Sequence, residues 1–232
     1  MSSELESVKE TAIATQEVAK TASNAIDAGR EFGSFVSRFI SAPLEQGVGI
    51  LEDRLRFMRW ERQIRLIERA KELIEMQGLG EPDTPIALKT AVPLLEYATL
   101  EEDDNLQDMW AQLLVNGTRS CSGVSLERAF IEILSQLSTL EAQILRTIYA
   151  LPFENTQHNG VLTASLPDAA EVFEQEPEGG NIEPNDRVKI ALANLVRLGC
   201  LKAAFTWGGG ESFSKVNPTV IGKEFVRACS NP

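Results

Sequence analysis

Histidine is nearly absent from this sequence, because His158 is the single histidine among 232 residues. The HExxH signature of metalloproteases and any two-histidine metal site are therefore excluded. His158 lies in the polar stretch PFENTQHNG, where we expect an irregular loop and a solvent-facing imidazole. The Arg-x4-His spacing of one widespread group of ribonucleases fails as well, because position 153 is Phe.

Motifs for phosphate binding and for nucleophilic catalysis are also missing. Neither GxxxxGK[ST] nor GxGxxG occurs, and no GxSxG stretch offers a nucleophile elbow. A serine, cysteine or threonine nucleophile would lack a histidine base unless His158 served as one. We therefore predict a protein that is not an enzyme, with no catalytic residue, no cofactor and no bound metal.

Cysteines and long apolar runs are scarce. Cys121, Cys200 and Cys229 are far apart and form no CxxC pair, so we expect buried free thiols in a reducing compartment. No run reaches the roughly 18 apolar residues that a membrane-spanning helix needs. The N-terminal stretch MSSELESVKE lacks the basic and apolar regions of a secretion signal, so we expect a cytoplasmic location.

Positive charge is outweighed by negative charge, and the formal net charge is −12. This charge argues against indiscriminate nucleic-acid binding, because a phosphate backbone would be repelled on average. Residues 185–232 differ, since they carry seven Lys and Arg against three Asp and Glu. This basic end is compatible with an anionic contact, or with attraction between two surfaces of the same chain.

The first 43 residues show a heptad pattern of small and apolar residues. Alternating steps of three and four predict a helical arm that could join two helices, although small residues bury little apolar area. We expect self-association or a protein partner, and the candidate oligomerisation residues are Leu5, Val8, Ala12, Ala19, Ala22, Ile26, Val36 and Ile40.

A second stripe of apolar residues starts near the end of this arm. It suits packing within the chain, against a partner helix or on a membrane surface, and it consists of Ala25, Ala28, Phe32, Phe35 and Phe39. Polar residues interrupt the same stretch, namely Glu31, Ser34, Ser37 and Arg38. We therefore regard membrane contact by residues 25–50 as the least favoured of the three, without excluding it.

The central segment, residues 44–137, predicts a helical bundle. A long helical pattern over residues 44–77 ends at Gly78, and its arginine-rich part favours a solvated or ion-paired face over a nucleic-acid patch. The following stretch PIALKTAVPLLEYA predicts a helix that Pro93 kinks or restarts.

Four consecutive acids precede the apolar run of the stretch LEEDDNLQDMWAQLLVNG. We interpret them as the start of a helix, with Thr99 as the N-cap and Glu102 completing a capping box. The alternative is a divalent cation bound by Glu101, Asp104 and Asp108, which share a helix face.

Three stretches in order, RWERQIRLIERAKELIEMQGL, LEEDDNLQDMWAQLLVNG and AFIEILSQLSTLEAQILRTI, resemble the abortive-infection alpha family of bacterial proteins. The resemblance covers residues 44–150. It implies a role in bacterial defence against phage, and it brings no catalytic residues with it.

Residues 138–232 predict a third module that resembles a winged helix. Ser138 caps a helix with Glu141, a short strand VLTASL and a short helix PDAAEVFEQ follow, and a helix runs from Asp186 to Leu198. A two-stranded wing then turns at residues 208–210, and Thr219 caps the closing helix.

The helix from Asp186 to Leu198 carries the candidate DNA-binding residues Arg187, Asn194 and Arg197 on its outer face beside Ile190. An acidic insertion precedes this helix where a helix-turn-helix expects a short turn, so we favour protein contact over DNA.

We therefore predict a mainly α-helical protein with a helical arm (1–43), a central bundle (44–137) and a winged-helix-like α+β module (138–232). The leading functional hypothesis is a non-enzymatic component of phage defence that acts through protein association. The alternatives are a DNA-binding regulator that uses the last module, and a carboxylate-based metal-dependent nuclease.

Overall fold

The computed structural model describes residues 27, 29–40, 60–175, 182–206 and 208–231. These residues are mainly helical, with one small antiparallel sheet toward the C-terminus, which confirms the predicted fold class. The chain divides into two compact units, residues 1–101 and 102–232. The sequence-based limits at residues 43 and 137 stay a prediction beside this division.

Two helices form the main part of the first unit. Helix α1 (Trp60–Met76) buries Leu66, Ile67, Ala70 and Leu73 at helical spacing, and helix α2 (Leu88–Leu100) packs against it. The predicted stop of α1 is confirmed, because Gly78 adopts a φ of 60°, a conformation that glycine reaches without steric cost. Leu79 then donates its N–H to the carbonyl of Ile74 at 2.9 Å and closes the helix.

A short helix over residues 29–37 packs within the same unit. Phe32, Phe35 and Phe39 are buried, and Ile86 donates its N–H to the Phe39 carbonyl at 2.8 Å. Arg38 holds the Glu81 carboxylate through two hydrogen bonds of 2.5 and 2.7 Å. The aromatic part of the second apolar stripe is therefore packed against this chain itself.

Two of the candidate oligomerisation residues fall within this segment. Val36 is only 3% exposed, and Ile40 forms a parallel bridge with Ile86. The other six candidates, from Leu5 to Ile26, lie outside the described residues. Self-association through the arm stays a prediction.

Helix α2 differs from its sequence-based expectation in two ways. It runs unbroken through Pro93, so this proline does not restart the helix. Pro93 is the sixth residue of α2, and the helix tolerates it by leaving one backbone acceptor of its first turn without an i→i−4 partner. The prediction of Thr99 as an N-cap is wrong, because Thr99 is buried near the end of α2 and donates its hydroxyl to the Leu95 carbonyl.

The second unit combines helices with a four-stranded sheet. Helix α3 is buried at every residue from Leu106 to Gly117 except Asp108, which makes it the centre of this unit. The sheet is antiparallel in the order β2–β1–β4–β3. Its elements are α3 (Asp104–Gly117), α4 (Arg128–Leu134), α5 (Thr139–Tyr149), α6 (Phe153–Asn159), β1 (Val161–Leu162), β2 (Glu171–Val172), α7 (Asp186–Arg197), β3 (Leu201–Phe205), β4 (Glu211–Pro218) and α8 (Val220–Ala228).

Residues 153–175 form different elements from those expected. The stretch around His158 is the short helix α6, although the imidazole is exposed as predicted. The predicted strand is limited to Val161–Leu162, and the helix expected at PDAAEVFEQ is absent. Glu171–Val172 instead forms strand β2, because it pairs with β1 across the intervening turn.

No helix among the described residues combines the length and the apolar character that a membrane span requires.

Candidate functional site

The acidic stretch before α3 is used to begin that helix. Asp103 is the N-cap, and its Oδ1 accepts hydrogen bonds from the backbone N–H groups of Asn105 at 2.9 Å and Leu106 at 3.0 Å. Its Oδ2 accepts a bond from the Thr139 hydroxyl at 2.8 Å, which links α3 to α5. The interpretation as a helix start is thus confirmed, with the cap four residues later than predicted.

Metal coordination was the alternative for these acids. Within the described part of the chain, no three Asp, Glu, His or Cys side chains lie close enough together to hold an ion.

The end of α3 holds a buried polar pair. Asn116 donates both hydrogens of its amide, one to the Ala228 carbonyl and one to the Ser230 carbonyl, each at 3.0 Å. Its Oδ1 accepts a bond from Gln112 Nε2 at 2.9 Å. Asn116 therefore caps the last turn of α8 from a distant helix, and all of its polar atoms are bonded.

A tyrosine joins α5, β3 and α8. The Tyr149 hydroxyl donates toward the Cys200 and Thr219 carbonyls, at 2.5 and 3.2 Å, and accepts from the Thr219 N–H at 3.0 Å. Burial raises the pKa of Tyr149 from 10.0 to about 12. The site needs a glycine at position 222, because a β-carbon there would overlap the Tyr149 hydroxyl oxygen.

All three cysteines are free, and two of them are buried as expected. Burial raises the pKa of Cys200 from 9.0 to about 12 and raises that of Cys229 still further. These two thiols therefore stay protonated and chemically inert at neutral pH. Cys121 corrects the prediction, because it lies in an exposed 3-10 turn.

The predicted capping box of α5 is confirmed, and it also fixes α7. Ser138 and Glu141 exchange the two bonds of the box. Glu141 is only 6% exposed, and its second oxygen accepts a bond from Asn194 Nδ2 at 2.7 Å. The side chain of Asn194 thus points into the module and holds α7 against α5.

Arg197, the last residue of α7, is likewise used in this contact. Its guanidinium donates to Asn194 Oδ1 at 2.9 Å through Nε, and to Gln136 Oε1 at 2.9 Å through Nη2. Arg187, at the other end of the helix, is exposed. Of the three candidate DNA-binding residues, Arg187 faces solvent, Asn194 faces inward and Arg197 lies between the two.

The outer face of α7 is our candidate functional site, and we define it by Arg187, Ile190 and Arg197. Ile190 lies at its centre with 73% of its surface exposed, although the residues on the opposite side of the helix are buried. The face is positively charged at both ends, because both arginines lie on the side that carries Ile190.

The segment before α7 is fixed to the sheet. Glu183 accepts hydrogen bonds from the Ser212 hydroxyl and the Phe213 N–H, both at 3.0 Å. It also forms an ion pair with Lys189 at 3.8 Å. The negative charge of Glu183 is therefore neutralised beside the outer face of α7 and does not cover it.

Sequence reasoning placed Arg187, Ile190 and Arg197 on one face of a helix, which the structure confirms. It missed the roles of Asn116 and Tyr149. The one signal that could have found Asn116 is an Asn–Gly pair at the end of an otherwise apolar helix, because such a residue is suited to bind backbone groups.

Comparison with families of known proteins gives one match, to the model described as abortive infection alpha, over residues 61–229. Comparisons with curated proteins and with solved structures gave no match. The matched range includes α3, the polar pair at its end and the outer face of α7. Since the match covers well over half of the chain, the protein belongs to the abortive infection alpha family.

Proposed function

We propose that this protein is a non-enzymatic component of phage defence that binds another protein through the outer face of α7. Membership of the abortive infection alpha family suggests the defence role. The observation that carries the proposal is Ile190, a large aliphatic residue that is 73% exposed between two arginines. Exposed apolar residues beside arginine are typical of the central contacts of protein interfaces.

The rigidity of α7 supports this proposal. Asn185 caps the helix by accepting the Val188 N–H at 3.0 Å, and the inner residues Leu192 and Leu195 are fully buried. Asn194 fixes the other end through Glu141. The outer face is therefore presented in one orientation before a partner arrives, which lowers the entropy cost of binding.

We further propose a cytoplasmic location. Three free cysteines support it, because disulfides are disfavoured in reducing compartments.

The proposal is tested by phage challenge of a bacterial host that expresses the full chain. Ile190→Asp places a carboxylate at the centre of the face, and we expect plaque counts to rise toward those of a host without the gene. The matched control is Val220→Asp, an equally drastic change at another exposed aliphatic residue, 66% exposed at the start of α8. This control should protect as the unchanged protein does.

The thermal midpoints of both variants are measured first, so that loss of protection is not confused with loss of fold. Full protection by a folded Ile190→Asp protein would contradict the proposal. Equal loss in both variants would also contradict it, because the effect would not then belong to the face of α7.

DNA binding is the second candidate, and the two exposed arginines at the ends of α7 favour it. The inward orientation of Asn194 weighs against it, because that amide is bonded to Glu141 and is unavailable to read an adenine edge. Filter binding of duplex DNA over a range of salt concentrations separates the two candidates. A phosphate contact by Arg187 predicts that Arg187→Ala lowers the slope of log affinity against log salt by about one.

A further inference from the structure

Strand β3 lies at one edge of the sheet. It pairs with β4 alone, and no strand among the described residues lies on its other side. An edge strand presents a row of backbone N–H and C=O groups that can pair with another extended segment. This edge is five residues long, Leu201–Phe205, whereas the opposite edge strand β2 has only two residues.

The side chains of β3 leave this edge open to approach. Ala203 and Ala204 are small, and the only charged residue in the strand is Lys202. Phe205 is 71% exposed, an unusual position for a phenylalanine at the end of a strand. Natural proteins usually protect an edge with several charges, a proline or a bulge that turns it away, and a single lysine is weak protection.

We propose that β3 pairs antiparallel with β3 of a second copy of this chain, about a two-fold axis that passes through Ala203. The two sheets would then join into one continuous sheet. The proposal concerns a surface distinct from the outer face of α7, and it stands or falls independently of the proposed function.

Symmetry and charge select this register. A two-fold axis in an antiparallel pair requires one residue to face its own copy, because bonded and non-bonded pairs alternate along the strands. Pairing centred on Lys202 sets two ammonium groups directly opposite each other, which is destabilising. Pairing centred on Ala204 moves Leu201 beyond the end of the second β3. Pairing centred on Ala203 alone matches all five residues.

The chosen register also gives Phe205 an apolar neighbour. It lies opposite Leu201 of the second copy, whose side chain is buried at the margin of the core. Lys202 lies opposite Ala204, so the two lysines are diagonal neighbours about 7–8 Å apart, and their repulsion is weaker. The exposed phenylalanine is thereby covered by the association that it favours.

The register is tested by cysteine cross-linking of the full chain, in a Cys121→Ser background that removes the exposed native thiol. In the proposed dimer, Ala203→Cys brings two thiols opposite each other with their β-carbons about 4.5–5.5 Å apart, which nearly allows a disulfide. Ala204→Cys is the matched control, because its two copies lie about 7–8 Å apart across the axis. Diamide is the oxidant, and non-reducing gels report the band at twice 25.5 kDa.

We expect Ala203→Cys to cross-link at least tenfold faster than Ala204→Cys. Adding Phe205→Asp to Ala203→Cys should slow the reaction at least tenfold, whereas adding Val220→Asp on α8 should leave its rate unchanged. Equal rates at positions 203 and 204 would overturn the proposal. So would a rate at position 203 that does not respond to Phe205→Asp.

Discussion

Asn116 shows how one side chain can close a core of this size. Its amide is buried between two helices, and each hydrogen reaches a carbonyl that the end of α8 would otherwise leave without a partner. Gln112 completes the arrangement by donating to Asn116 Oδ1. The three bonds join residues that are more than 110 positions apart, so the stability of the second unit depends on this side chain.

Asn116→Asp is predicted to destabilise the protein by about 1–3 kcal/mol, because it replaces two donors by an oxygen that faces two carbonyls. The free energy of unfolding from urea denaturation is the measurement. Gln136→Glu provides a control, since it makes the same chemical change at an exposed side chain and should cost much less. Equal losses in the two variants would show that Asn116 is not a critical contact.

Caps made by nearby residues were predictable, and caps made by distant residues were not. Ser138 with Glu141, and Thr219 before α8, follow from spacings of three residues that can be read directly. Thr99 has the same local pattern, but it lies inside α2 because the helix continues to Leu100. Tyr149 finds its partners 51 and 70 residues away, so its role depends on how α5 meets α8.

At the scale of the element, α3 begins at Asp103 and carries the buried centre of the second unit. Asp103→Ala is predicted to destabilise the protein by about 1 kcal/mol, because two backbone N–H groups lose their acceptor. Asp103→Asn should retain most of the stability, since an amide oxygen also accepts these bonds. Thermal unfolding of the two variants gives the comparison.

Asp104→Ala tests whether charge alone explains the effect, since Asp104 lies in the first turn of α3 but is not its cap. We expect a loss of only a few tenths of a kcal/mol from this change. If Asp104→Ala cost as much as Asp103→Ala, the specific capping bonds would not be what stabilises the start of α3.

Element type was predictable where periodicity was strong, as in α3, α5, α7 and α8. Between Pro152 and Gln175 it was not, because the elements there are short and tertiary pairing decides them. Val161 pairs with Val172 on one side and with Val216 on the other. Residues with an ordinary helical composition therefore become a strand when an open strand lies beside them.

At the scale of the whole molecule, stability should fall as the pH rises from about 9 to about 12. The pKa of Cys200 is raised from 9.0 to about 12, and that of Tyr149 from 10.0 to about 12. The unfolded chain therefore releases these protons at lower pH than the folded chain does. Their contribution is complete below the unfolded pKa values and is lost as the pH rises through the folded ones.

Tyr149→Phe separates the share of the tyrosine from that of the thiols. This variant should be less stable at pH 7 by about 1 kcal/mol, because a buried hydrogen-bonded hydroxyl is lost. Between pH 10 and 12 its stability should decline less steeply than that of the unchanged protein. Urea denaturation at each pH measures both effects, and identical slopes would contradict the assignment of the raised pKa to Tyr149.

The close approach of Gly222 to Tyr149 limits how this module can be recombined with others. Any helix transplanted in place of α8 must carry glycine as its third residue, because even a methyl group there would push the tyrosine ring away. The displaced hydroxyl would release the start of β3 together with the loop before the new helix. Chimaeras made at this junction will fold only when that position is kept empty.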